Sequence, residues 1–328
     1  QYNTLRKDEL VSGVTNEHFA RHSHWLSAAT ALNIKEYLRL QASVLMTQII
    51  NQKSEIKNSP KVTPGLFMSF CPYPAIGLSI NAFYKQSYRY PTFNDLYYTD
   101  LGNANLRPEL ARQHSVELAY KITNDKSPVA NDFGYEIAAA VSYYYNRVTD
   151  KIIAYPKGQQ FRWTMLNLGT VKINGVDAHA DMSFYLPLRF VLRTRLNYTY
   201  QTAIDVTKTG DSYYGHQIPY IPWHSGSGVL GLEWQSKRGD RYGLNYSFVY
   251  VGERYSQQEN IVYNYVQPWY THDVSLYGEW QLRANQDKQP IWLKANVEIN
   301  NLLGQDFEVI QNYPMPKQNV RCTIALRY

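Results

Sequence analysis

The residues of this sequence that could perform catalysis or hold a metal are eight histidines, two cysteines and a scatter of carboxylates between hydrophobic segments. The histidines are His18, His22, His24, His114, His179, His216, His224 and His272. His22 and His24 lie two apart, which on a strand puts both on one face. With no third ligand nearby in sequence, a solvated loop end explains them more simply than metal or haem ligation. Cys71 and Cys322 are too far apart for a disulfide framework or a metal-ligand spacing, and read as two isolated side chains on apolar faces. Asp205, Asp211, Glu253, Glu259, Asp306 and Glu308 are too dispersed for a calcium loop. There is no nucleophile elbow, zinc-protease helix, P-loop or dinucleotide fingerprint, and Gly226-Ser227-Gly228 falls inside a strand pattern. No catalytic residue, metal or cofactor is therefore assigned. What remains is stacking and hydrogen bonding. Tyr213, Tyr214, Tyr263, Tyr265 and Trp269 fall in or beside long interstrand segments and could stack on a planar ligand, although packing explains each ring taken alone.

The elements that must position these side chains are strands. In 290–300, Ile291, Leu293, Ala295, Val297 and Ile299 alternate with Trp292, Lys294, Asn296, Glu298 and Asn300. The same period of two runs through 188–200, 269–283 and 319–328, and it marks strands with one apolar and one polar face. His272 breaks the apolar face of its strand, which suits a ring near an interface reaching towards water. Strands are expected at about 23–34, 38–52, 60–71, 75–87, 111–123, 133–154, 160–186, 189–205, 220–236, 240–256, 269–283, 290–303 and 318–328. Many are longer than the roughly 5–6 residues of a globular strand and meet the roughly 9–11 that a tilted bilayer-spanning strand needs.

Composition agrees. Charged residues make up only 18%, while 30 Tyr, 11 Phe and 7 Trp give an aromatic excess that crowds near strand ends, where membrane-interface girdles would lie. No stretch of about 18 apolar residues could form a spanning helix. The net charge of +6 is scattered without a run of five basic residues, which argues against a nucleic-acid partner. Connections alternate between short (35–37, 72–74, 187–188, 236–239) and long (88–110, 206–219, 256–268, 304–317), the arrangement of an outer-membrane barrel with short periplasmic turns and long outer loops. Counting back from an inward-running last strand, thirteen strands place residues 1–22 outside the cell as a loop remnant. An odd count and an outside start predict that residues 1–328 are the C-terminal part of a single larger barrel.

The segment 88–109 carries the most specific signal: Tyr88-Arg89-Tyr90-Pro91-Thr92-Phe93-Asn94-Asp95-Leu96-Tyr97-Tyr98, then Gly102-Asn103-Ala104-Asn105-Leu106-Arg107-Pro108-Glu109. It resembles the R-x-P-T-x-x-(D/E)-L-(Y/F) … G-N-x-x-L-x-P-E signature of TonB-dependent outer-membrane receptors. Asn167-Leu168-Gly169 with Gly175-Val176-Asp177, Asn300-Asn301-Leu302-Leu303, and Tyr313-Pro314-Met315-Pro316 with the terminal Tyr328 resemble further family stretches. Asp177 stands where Glu is usual, and Lys317-Gln318 where Gly-Arg is usual. The resemblance covers about 75–328. It implies an all-β, antiparallel transmembrane barrel of 22 strands, of which about thirteen are present here, with the N-terminal plug and its TonB box having no counterpart in this sequence. It implies import of a scarce nutrient such as a ferric siderophore, haem or cobalamin, closer to cobalamin- and iron-type receptors than to glycan importers. It also implies a bilayer around the barrel, a TonB partner acting through the plug, and a barrel-assembly machinery that reads Tyr328. Within the motif, Arg89, Pro91, Thr92, Asp95, Leu96, Gly102, Asn103, Leu106, Pro108 and Glu109 read as structural staples rather than ligand contacts: the prolines fix φ, Gly102-Asn103 suits a turn, and the charges could pair across the loop. Two rivals stand beside this reading, a passive porin of about fourteen strands and a soluble all-β binding module.

Overall fold

The computed structural model describes residues 2–7, 17–51, 60–98, 101–124, 133–157, 162–285 and 288–327. Eleven strands follow in order: β1 Tyr2–Lys7, β2 Glu17–Ile34, β3 Leu38–Asn51, β4 Lys61–Tyr73, β5 Leu78–Arg89, β6 Glu109–Asn124, β7 Gly134–Lys157, β8 Arg162–Leu186, β9 Phe190–Asp205, β10 His224–Gln235 and β11 Arg241–Val251. Two short strands, β12 Arg254–Tyr255 and β13 Tyr265–Val266, pair within a loop. β14 Trp269–Asn285 and β15 Lys288–Asn300 follow. A second loop hairpin, β16 Glu308–Ile310 and β17 Tyr313–Pro314, precedes β18 Asn319–Arg327. All long strands join one fourteen-stranded sheet in which each pairs antiparallel with its neighbour along the chain, the loop hairpins excepted. β1 and β18 are its two edges among the described residues.

All thirteen expected strands are present, and the fourteenth corrects the reading of residues 1–22. Tyr2–Lys7 pairs with Glu17–His22, so β2 begins six residues earlier than expected and 2–7 is strand, not loop remnant. A six-residue strand is too short for its alternation to stand out from the background. The count becomes even, the argument from an odd number of strands falls, and β1 runs towards the long-loop end, with Tyr2 opposite His22 and Lys7 opposite Glu17. His22 and His24 accordingly sit inside β2, both exposed, and not at a loop end. Tyr328 lies outside the described residues.

The sheet separates two environments. On one face, Leu66, Val116, Leu118, Val141, Leu276 and Ile324 are each more than half exposed, a density of uncovered apolar side chains that water would not tolerate but hydrocarbon would. Aromatic rings bound this face at two levels. Near the long loops stand Tyr84 with His114, Tyr198 and Tyr200 with His224, and Tyr246 and Tyr270 with His272. Tyr198 and His224 are hydrogen-bonded at 2.8 Å, and His272 bonds the Tyr246 hydroxyl. Near the short turns, Trp234, Tyr242 and Trp280 pack together, with Trp280 Nε1 donating to the Tyr242 hydroxyl at 3.0 Å. His272 and Trp280 share β14, and the eight steps between them span about 27 Å of strand, roughly 20 Å across a bilayer at the usual tilt.

The opposite face is polar and cross-linked between strands. Thr199 Oγ1 donates to Asp177 Oδ1 at 2.7 Å, and Arg195 pairs with Asp181. Glu233 takes Arg193 at 3.4 Å and the Tyr277 hydroxyl at 2.6 Å. Glu279 takes Arg241 at 3.6 Å and Arg327 at 3.5 Å, and Glu298 takes Arg321 at 2.6 Å. The arginines are 40–69% exposed, so each pair contributes only about 0.2–1 kcal/mol. Their import is positional: they fix register and mark this face as wet.

Candidate ligand mouth

The long connections gather at one end of the sheet, beyond the upper aromatic level. In the β5–β6 loop, Thr92 caps a short helix, α1 Phe93–Tyr97, by a reciprocal capping box: Thr92 Oγ1 accepts from the Asp95 amide at 3.1 Å, and the Asp95 carboxylate accepts from the Thr92 amide at 2.9 Å. Arg89 reaches Asp95 at 3.1 Å and Glu109 at 3.6 Å, so both motif carboxylates share one guanidinium. Leu96 and Leu106 are buried against Ile152, and Pro91 is buried as fully. A Cβ at Gly102 would meet the backbone nitrogens of Tyr97 and Tyr98 at 2.7 Å, so only glycine fits this close approach. The Asn103 amide donates to Asp95 O at 2.8 Å, and its side chain donates to Met165 O at 3.0 Å. Pro108 is half-buried between Arg107, whose Nε donates to Asp150 at 3.0 Å, and Glu109, whose carboxylate accepts from the Ile152 amide at 2.9 Å. The polar groups of the motif are thus directed at β7, β8 and one another. The Asp150 pair raises the pKa of Arg107, through the hydrogen bond first and the charge second.

The β9–β10, β11–β14 and β15–β18 loops form a second assembly around buried polar side chains. Gln217, 1% exposed, accepts from the Ala203 amide at 2.8 Å and donates to Ile221 O at 3.1 Å. Its backbone exchanges two bonds with the Asn260 side chain. Gln258 donates to Asp205 at 2.8 Å. Arg254, 2% exposed, donates to four carbonyls spread over two loops: Gly252 O at 3.4 Å, Gln267 O at 3.1 Å, Glu308 O at 2.6 Å and Val309 O at 3.1 Å. Burial lowers its pKa, and burial raises that of the neighbouring Tyr220. These partners lie up to 55 residues apart, and nothing in local spacing announces them, which is why the sequence reading passed over Gln217, Arg254 and Asn260.

All five aromatic residues singled out from the sequence belong to this assembly, but they divide. The Tyr213 hydroxyl donates to Glu259 at 3.0 Å, and that bond raises its pKa. The Tyr265 hydroxyl donates to Glu253 at 3.1 Å while its ring meets Tyr255 edge-on at 6.0 Å. Trp269 packs tilted against Phe307, the ring centroids 4.6 Å apart. Tyr214 and Tyr263 instead turn their rings to solvent, Tyr263 at 89% exposure beside an equally exposed Val262. Tyr263 is presented rather than dangling. The turn Val262–Asn264 is closed by the Asn264 side chain donating to Glu259 O at 3.0 Å and by Gln311 donating to Tyr263 O at 3.1 Å.

Among the described residues, no group of three or more His, Cys, Asp or Glu converges as a metal site.

The family model "TonB dependent receptor-like, beta-barrel" matches residues 15–302. The chain belongs to the TonB-dependent receptor family. A stretch of 93 residues is 30% identical to the vitamin B12 transporter BtuB of Vibrio vulnificus, covering 28% of this chain and 13% of that protein. The receptor fold extends further. The ferric preacinetobactin receptor BauA of Acinetobacter baumannii superposes with a TM-score of 0.65 at 13% identity, over 94% of this chain and 43% of that one. The FrpB iron transporter of Neisseria meningitidis superposes with a TM-score of 0.59 at 14% identity, over 94% and 45%. At such identities the likeness is one of fold. The chain spans a little under half the length of these solved receptors.

Proposed function

We propose that this TonB-dependent receptor barrel lines an outer-membrane channel that imports a scarce nutrient, a ferric siderophore, haem, cobalamin or similar compound, and performs no enzymatic reaction. The observation that carries the reading is the two-faced sheet: apolar and belted by Tyr, His and Trp outside, hydrogen-bonded and charged inside. Such a wall divides hydrocarbon from a wet lumen. Relatives described as transporters of vitamin B12 and iron, and as a ferric preacinetobactin receptor, support import. In the complete receptor, TonB acts through the plug, the bilayer surrounds the apolar face, and the assembly machinery reads the last strand with Tyr328. Ligand contact falls to the loop mouth, where Tyr214 and Tyr263 are the exposed members of the set Tyr213, Tyr214, Tyr263, Tyr265 and Trp269. The sheet forms part of a larger, 22-stranded cylinder, a reading supported by its spanning under half of comparable receptors and, among the described residues, by its edge strands β1 and β18 not pairing.

The family match and the stapled motif favour a receptor over a passive porin. The test is growth of a host without its own receptors, supplied with the complete receptor and with cobalamin, haem or ferric siderophores in turn, with and without functional TonB. Import should require TonB and favour one nutrient. Equal, unselective entry without TonB would establish a passive channel instead.

A further inference from the structure

We propose that the outer face of the sheet carries, where the bilayer meets the long loops, a site for a lipid whose headgroup bears an anionic phosphate. Its polar half is a row of three cations. Arg112 in β6 is the direct cross-strand partner of Arg147 in β7, and Arg147 is that of Lys172 in β8. The row lies on the apolar side of the sheet: strand alternation puts Arg112 on the face of Val116 and Leu118, and Arg147 on that of Val141 and Tyr143. It stands two residues nearer the loops than His114 and Tyr145, themselves cross-strand partners at the upper aromatic level. Both arginines are exposed.

Like charges set directly opposite one another across a ladder repel, so the row is destabilising unless an anion lies against it. The sheet supplies none. Across β9–β18, five arginines of the polar face are each matched by a carboxylate, whereas Arg112, Arg147 and Lys172 make no ion pair with a described residue. The row ends on Gln86 in β5 and Ile204 in β9, both uncharged. Along its own strands, the nearest residues on the same face are Leu110, Thr149 and Thr170 towards the loops and His114, Tyr145 and Asn174 towards the turns, again without a carboxylate. Guanidinium forks suit phosphate oxygens, which can accept two N–H bonds at once. Towards the turns the same face opens into an apolar groove of about 670 Å³. The small side chains of Ala42 and Ala82 leave room there between Leu66, Met68 and Val116. His114 and Tyr145 line its upper end, so the groove runs directly up to Arg112 and Arg147. A phosphate against the cations and an acyl chain in the groove are the two ends of one lipid molecule, whereas a free phosphate would use only the first.

The inference rests on reading the apolar face as the bilayer surface and not on import, so its test uses no uptake: a receptor that imports normally but retains no lipid refutes this site alone. The complete receptor, stripped of lipid in a non-ionic detergent, is titrated with phosphatidic acid, with phosphatidylcholine of the same chains (no net charge) and with glycerol 3-phosphate (no chains). Bound molecules are counted by native mass spectrometry. Phosphatidic acid should be retained, and each of the other two should bind roughly fivefold more weakly or worse. Arg112→Gln combined with Arg147→Gln should weaken phosphatidic acid by a similar factor. Arg195→Gln combined with Arg321→Gln removes the same charge from the polar face and should leave it unchanged. Ala82→Phe should weaken it by filling the groove while the cations stay. Heat-modifiable gel migration checks that each variant is folded, and the two exposed arginines keep the test decisive if Ala82→Phe does not assemble. Phosphatidic acid bound no more tightly than phosphatidylcholine, equal binding of glycerol 3-phosphate, or equal affinity in the two folded double variants would overturn the proposal, as would unchanged affinity in folded Ala82→Phe.

Discussion

The β5–β6 loop and the β11–β14 loop both rise from the same rim, yet they use their polar and aromatic residues in opposite ways. In the first, the conspicuous residues of the motif are consumed by folding: Asp95 closes a cap and holds Arg89, Glu109 holds Ile152, and Leu96 and Leu106 are buried. In the second, buried polar groups of no obvious pattern, above all Arg254, hold up a turn that leaves Val262 and Tyr263 in solvent. The difference teaches that a recognisable motif and freely exposed aromatic rings are carried by separate loops. A recognisable motif marks where the backbone must be shaped, and the rings left in solvent are those the fold does not need.

Substitutions can break that contrast, the largest effect first. Arg254→Ala removes a buried guanidinium and leaves carbonyls of two loops without their donor, a loss of about 3 kcal/mol. Urea unfolding in lipid vesicles should register it, and proteolysis should cut 252–268 while the strands stay protected. Asp95→Ala opens the capping box and frees Arg89, costing about 2 kcal/mol by the same unfolding measurement. If instead Asp95→Ala lowered ligand affinity with no loss of stability, the motif would be a ligand site and the contrast would collapse.

Tyr263→Ala should leave stability within about 0.5 kcal/mol and weaken the nutrient about tenfold in a binding titration. A smaller effect is expected from pH. Burial raises the folded pKa of Tyr220 above that of an unfolded tyrosine, so its contribution is complete below the ordinary phenol pKa of about 10 and fades as pH climbs through the folded value. Tyrosinate absorbance should show a late-ionising component that Tyr220→Phe removes.

The strands were legible because a sheet between hydrocarbon and water imposes one apolar and one polar face over ten or more residues, as in Ile291 to Ile299. β1 was not, because six residues hold too few alternations, and its omission shifted the parity of the whole count. The division of the tyrosines was also hidden: Tyr263 and Tyr265 are two apart and chemically identical, but Glu253 lies within reach of only one hydroxyl. Arg112 shows the same limit, since its lack of a carboxylate neighbour is a property of β5 and β7, not of its own strand.

The β7–β8 hairpin, with strands of 24 and 25 residues, has a consequence in time as well as in space. About 9–11 residues cross a bilayer, so more than half of each strand stands beyond it. The β5–β6 loop precedes this hairpin in the chain but leans on Asp150, Met165 and Asn167, which lie 43 to 62 residues later. The loop is therefore not completed by its own strands. Its local bonds, Thr92 with Asp95, can form at once, but its ties to Asp150, Met165 and Asn167 exist only when the tall hairpin stands beside it, so the loop's final shape is a property of two hairpins and not of one.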